Sequence, residues 1–173
     1  MTPGTITWLG FILALGAAAL VITGHLFAAG LVVLLAGFFD ILDGALARRI
    51  ERATPFGAVL DSTLDRLSEA VLLLAILALY AAEQSLAGIL LVGVALIGSL
   101  LVSYIRARAE AVGLECQVGL FTRAERVIVL ALGLLLSQID YGFLAIALAI
   151  IVVFSFFTVG QRLVYVWQQR ETR

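Results

Sequence analysis

The stretch Asp40-Ile41-Leu42-Asp43-Gly44-Ala45-Leu46-Ala47-Arg48, followed after eight residues by Gly57-Ala58-Val59-Leu60-Asp61-Ser62-Thr63-Leu64-Asp65, sets four carboxylates in an otherwise apolar neighbourhood. An ionisable group at membrane depth is unfavourable by about 2.5–3.5 kcal/mol on insertion scales, so such groups mark functional sites. That the neighbourhood is a membrane follows from composition. The chain has 173 residues, 63% of them hydrophobic, and a mean hydropathy of +1.15. A soluble domain holds only about 45–50% apolar residues, so lipid is the expected solvent.

Apolar stretches able to cross a hydrocarbon core of about 30 Å run over residues 6–23, 27–47, 56–80, 86–105, 127–137 with its flanks, and 143–167. The predicted fold is therefore an all-α integral membrane protein with six transmembrane helices in one domain, residues 1–173. All 11 basic residues are arginine, and none lies in the short turns near Gly24, Gln84 and Gln138. They fall instead between the second and third spans, between the fourth and fifth, and at the C-terminal end. The positive-inside rule then predicts cytoplasmic termini, a multi-pass protein of the plasma membrane and a site facing the cytoplasm. No cleavable signal peptide is expected, since the first apolar run lacks a basic leader. The single cysteine, Cys116, allows no intrachain disulfide, and no Cys/His cluster suggests zinc.

Thr54 is placed to cap a helix whose first residue is Pro55, where a missing N–H is harmless. Asp61 and Asp65, four apart, then share a helix face, as do Asp40 and Asp43, three apart. Antiparallel packing of the two helices would set Asp43 level with Asp61 and Asp40 level with Asp65. Four carboxylates without His or Cys select hard cations, and two such ions could clamp the attacking and leaving oxygens of a phosphoryl displacement. Gly44 and Gly57 lack a Cβ and would let a diphosphate approach the backbone, and Arg48 offers a planar donor fork. Salt bridges between the acids and nearby arginines, or a cation or proton path, are the competing readings. The outer half has only His25, Glu83 and Asp140 near its turns, and no relay is visible there.

The eight residues Asp40, Asp43, Gly44, Ala47, Arg48, Gly57, Asp61 and Asp65, at their spacing, resemble the complete signature of the CDP-alcohol phosphatidyltransferase family. The resemblance implies transfer of a phosphatidyl group from CDP-diacylglycerol to an alcohol, with release of CMP. It also implies a six-helix fold, usually homodimeric among membrane lipids, with no nucleic-acid partner. By the same resemblance Asp40, Asp43, Asp61 and Asp65 would ligate two ions, Mg²⁺ or alternatively Mn²⁺, and Asp65 would be the general base. Gly44, Arg48 and Thr54 match positions that contact the cytidine diphosphate moiety. The segment Pro3-Gly4-Thr5-Ile6 resembles the family's N-terminal nucleotide-binding motif, with Gly4 in place of its usual Asn.

The run Ser103-Tyr104-Ile105-Arg106-Ala107-Arg108-Ala109-Glu110, with Arg123-Ala124-Glu125-Arg126, clusters guanidinium forks suited to a phosphate. A phosphorylated acceptor is therefore expected. These runs resemble the inositol-phosphate-using branch of the family, the phosphatidylinositol phosphate synthases. That likeness implies that Ser103, Arg106, Arg126 and Arg162 hold inositol phosphate. Arg106 stands where many relatives have Lys, and Thr122 where they have Glu. The alternatives are a phosphatidylglycerophosphate synthase using glycerol 3-phosphate and, outside enzymes, the cation or proton transporter.

Overall fold

A computed structural model describes the backbone of residues 3–50 and 54–171 and the side chains of residues 7–39 and 54–169. Its regular elements are six helices: α1 (Pro3–Ile22), α2 (Leu26–Ile50), α3 (Pro55–Ala82), α4 (Leu86–Ala111), α5 (Arg123–Leu136) and α6 (Gly142–Glu171). No strand occurs among the described residues. The number and order of helices match the sequence expectation. Their polar ends do not, because α4 continues six residues past 105 and α5 begins four before 127. Ala107, Arg108 and Glu110 are good helix formers, so the helix outlives its apolar segment.

Among the described residues α4 and α6 are long and apolar enough to cross a membrane, and Thr7–Ile22 and Leu26–Phe39 are shorter apolar helical stretches. Large side chains such as Leu90, Ile97, Val153 and Phe157 point outward. Such an apolar exterior suits lipid rather than water.

Each helix packs mainly on two others, and the contacts close a ring in the order α1, α3, α4, α6, α5, α2. Among the described residues α1 packs on both α2 and α3, whereas the expected levelling of Asp43 with Asp61 and of Asp40 with Asp65 involves α2 side chains that lie outside the described residues. Three short turns make α1/α2, α3/α4 and α5/α6 hairpins. The first turn contains Gly24 at φ +81°, a conformation that favours glycine.

Small residues bring the backbones together, as is usual where lipid gives no hydrophobic drive between helices. Ala17 and Val21 of α1 and Ala29 and Val33 of α2 are buried in the shared core. A Cβ on Gly133 of α5 would sit 2.4 Å from Ala147 Cβ of α6, so the approach of these two helices requires glycine.

The connection between α4 and α5 is irregular but tied down. Thr158 Oγ1 accepts from Phe121 N–H at 3.2 Å, Arg162 Nε donates to the Val118 carbonyl at 2.9 Å, and Gln169 Nε2 donates to the Glu115 carbonyl at 2.7 Å. Backbone groups that no helix satisfies thus find partners on α6.

Candidate functional site

The beginning of α3 forms as expected. Thr54 is extended and its Oγ1 accepts from Gly57 N–H at 3.1 Å, with Pro55 in the first turn. The cap fixes where α3 starts and so sets the faces of Asp61, Asp65 and Glu69, which follow at intervals of one turn. Asp61 turns toward α1, where Thr7 Oγ1 donates to its Oδ1 at 3.3 Å. Asp65 and Glu69 turn toward α5.

The beginning of α5 is fixed by a different device. Thr122 donates both its backbone N–H, at 2.8 Å, and its hydroxyl, at 2.5 Å, to Glu125 Oε2. Burial works to raise the Glu125 carboxyl, but the hydrogen bonds from Thr122 and the nearby Arg126 hold it below its usual range. Glu125 is thereby committed to the helix start. Arg123 and Arg126, three apart, are left to face α3.

Two rungs result. Arg123 Nη1 lies 2.8 Å from Asp65 Oδ1, with both side chains about a quarter exposed, at 28% and 26%. One turn deeper, Arg126 Nε and Nη2 meet Glu69 Oε1 and Oε2 at 2.6 and 2.8 Å. Here the arginine side chain is 1% exposed and the glutamate 9%. A buried charge is tolerated only with close pairing of this kind. Both rungs line a narrow cavity of about 50 Å³ walled by α1, α2, α3 and α5, with Ile151 of α6 among its lining residues.

Of the expected acceptor residues, the structure brings Arg126 into this cavity with Asp65. Ser103, Arg106 and Arg162 are not among its lining residues. Arg106 pairs along its own helix with Glu110 at 2.9 Å, both about half exposed. Arg162 is buried and donates to the carbonyls of Val118 and Val102. It clamps the α4–α5 connection to α6.

Among the cavity's charged residues, Glu69 was not singled out from the sequence, and Arg123 was read within the acceptor run but not as the partner of Asp65. The signal was present, since Glu69 stands four residues beyond Asp65 and Arg123 three before Arg126.

Asp40, Asp43, Gly44 and Arg48 belong to α2 by backbone, and Pro3, Gly4, Thr5 and Ile6 to α1, but their side chains lie outside the described residues. The described half of the expected metal centre is Asp61 with Asp65, carboxylates spaced one turn apart. An all-oxygen donor set beside a balancing arginine fits a hard divalent cation. No group of three metal-ligating side chains occurs among the described residues.

Residues 1–157 match the sequence profile of a family described as CDP-alcohol phosphatidyltransferase. The archaetidylinositol phosphate synthase of Methanothermobacter thermautotrophicus is 42% identical over 165 residues, covering 95% of this chain and 82% of that protein. The phosphatidylinositol phosphate synthase of Mycobacteroides abscessus is 40% identical over 168 residues, covering 94% and 76%. The crystal structure of Mycobacterium tuberculosis phosphatidylinositol phosphate synthase with CDP-DAG bound is similar at a TM-score of 0.86 and 36% identity, covering 96% of this chain and 87% of that one. The same enzyme in complex with manganese and citrate gives a TM-score of 0.85, with 96% and 83% covered.

Proposed function

The chain belongs to the CDP-alcohol phosphatidyltransferase family, and from that membership we propose that it is the lipid synthase that joins the phosphatidyl group of CDP-diacylglycerol to inositol phosphate, releasing CMP. The relatives named for inositol phosphate products support this acceptor. The observation that carries it in this chain is the cavity in which Asp65 lies beside Arg123 and Arg126. A carboxylate able to take a hydroxyl proton thus adjoins guanidinium groups able to hold a phosphate.

Asp40, Asp43, Asp61 and Asp65 would hold two Mg²⁺ ions, or Mn²⁺ as in the complex named above. Bound there, the ions would neutralise the diphosphate of the CDP-linked lipid. The other tasks belong to side chains. Asp65 takes the proton of the attacking inositol hydroxyl. Thr54 spends an oxygen lone pair on Gly57 N–H, which leaves its own O–H as a donor to the cytidine diphosphate. Gly44 and Arg48, with Pro3, Gly4, Thr5 and Ile6, complete that side of the site. Arg126 supplies a phosphate donor for the acceptor, and Ser103, Arg106 and Arg162 are assigned the same task from the arginine-rich end.

The protein is an integral membrane protein. We assign it six spans, both termini and the site on the cytoplasmic side of the plasma membrane, and a homodimeric state, on the one-sided arginine distribution and family membership. Purified protein should release CMP from CDP-diacylglycerol only when inositol phosphate and Mg²⁺ or Mn²⁺ are both present. Release without acceptor or without metal, or a preference for glycerol 3-phosphate in a competing panel, would overturn the reading.

A further inference from the structure

Among the described residues the most completely buried charged side chain lining the cavity is Arg126, and its hydrogen bonding is lopsided. Its Nε and Nη2 are taken by the two oxygens of Glu69. Its Nη1 is buried and has no hydrogen-bond partner among the described residues. A buried nitrogen of a charged group left without an acceptor is strongly unfavourable, unless a ligand fills that role.

A guanidinium is planar, so a carboxylate bound along the Nε/Nη2 edge fixes the plane and the direction of Nη1 together. Glu69 in turn is carried on α3 one turn from Asp65. The direction of the free edge is thereby referred to the helix that holds the catalytic base, not to α5 alone. The pair is also close to neutral, so Arg126 enters the cavity as a directed donor rather than as an added charge.

We infer that Glu69 is a positioning residue for acceptor binding: it locks Arg126 through its Nε/Nη2 edge and aims Nη1 at an anionic oxygen of the phosphorylated acceptor. The inference rests on the function proposed above. Glu69 does not touch the acceptor, and its influence passes through Arg126. Selectivity for an acceptor with a correctly placed phosphate follows, because a fixed donor rewards one placement where a mobile one would accept several.

The test is steady-state kinetics of the full chain in phospholipid nanodiscs with the acceptor concentration varied. Glu69→Gln should raise KM for inositol phosphate at least about tenfold, the loss expected when a charge-assisted fork is cut. KM for CDP-diacylglycerol should move less than about twofold, and Glu69→Asp should recover part of the loss. In an Arg126→Gln background, Glu69→Gln should change KM by less than about twofold, because a residue that acts through Arg126 has nothing left to position. That neutral double variant also serves if Glu69→Gln alone is too unstable to purify. Additive effects of the two substitutions, or a fall in kcat at unchanged acceptor KM, would overturn the inference. Should the wild type use glycerol 3-phosphate instead, the proposed acceptor falls, while the same ratios measured with that acceptor still decide the role of Glu69.

Discussion

The α3–α5 face and the C-terminal end of α4 each carry an Arg–Glu pair, and the sequence gives both arginines the same expected task. The structure separates them. Arg126 and Glu69, from different helices, are exposed at only 1% and 9% and joined by two hydrogen bonds of 2.6 and 2.8 Å. Arg106 and Glu110 are neighbours on one helix turn, joined by one at 2.9 Å and exposed at 53% and 51%. Charge and spacing alone do not make a site. Burial between two elements turns an ion pair into a directed donor, whereas an exposed pair within one helix is screened and replaceable by water.

The strongest way to break the α3–α5 face is at its outer rung. Asp65→Asn keeps the size of the side chain and removes its charge, so the fold should persist while turnover falls by at least about a thousandfold, near the range for loss of a general base. Near-normal CMP release from this variant would show that Asp65 is not the base. Arg126→Met attacks the inner rung and leaves Glu69 buried without its cation. Unfolding in detergent should show a loss of about 3–5 kcal/mol. A loss below about 1 kcal/mol would mean that water reaches Glu69 and that the face is not closed.

A subtler break moves α5 without touching a charge. Gly133→Ala forces a Cβ against Ala147 at 2.4 Å unless the helices part. Stability should fall by about 1–3 kcal/mol, as for overpacking elsewhere. If the Arg126 fork depends on how α5 seats on α6, acceptor KM should rise with it.

The smallest stability effect belongs to the other region. Arg106→Gln should change stability by no more than about 0.5 kcal/mol. Its acceptor KM sharpens the comparison, since a rise of about tenfold would match loss of a phosphate contact. An unchanged KM would remove Arg106 from the acceptor site and leave it as surface charge.

The locally encoded features were legible. Thr54 and Pro55 mark the start of α3 because a cap and a proline act through their own backbone. The helices follow from uninterrupted apolar runs, and the signature from 40 to 65 points to the family without any coordinates. The ring order was not legible, because short turns fix hairpin partners but not which helix enters between two others. The packing of α1 on α3, and the Thr7 to Asp61 hydrogen bond it permits, therefore came as additions. Glu69 and Arg123 were visible as charges at helical spacing, yet nothing in one stretch of sequence says that side chains of α3 and α5, 57 residues apart for Glu69 and Arg126, will meet.

What the sequence determined by itself is the class of chemistry: a lipid-embedded helical protein, an all-oxygen aspartate set and a capped helix that presents half of it. These rest on hydrophobic transfer and local backbone geometry, both of which act over a few residues at a time. The tertiary structure alone decided which arginine is buried against a carboxylate from another helix, which donates to backbone carbonyls of the α4–α5 connection and of α4, and which pairs, exposed, along its own helix. That distinction depends on burial and on partners brought from distant segments, and desolvation is a property of the packed molecule rather than of any stretch of chain.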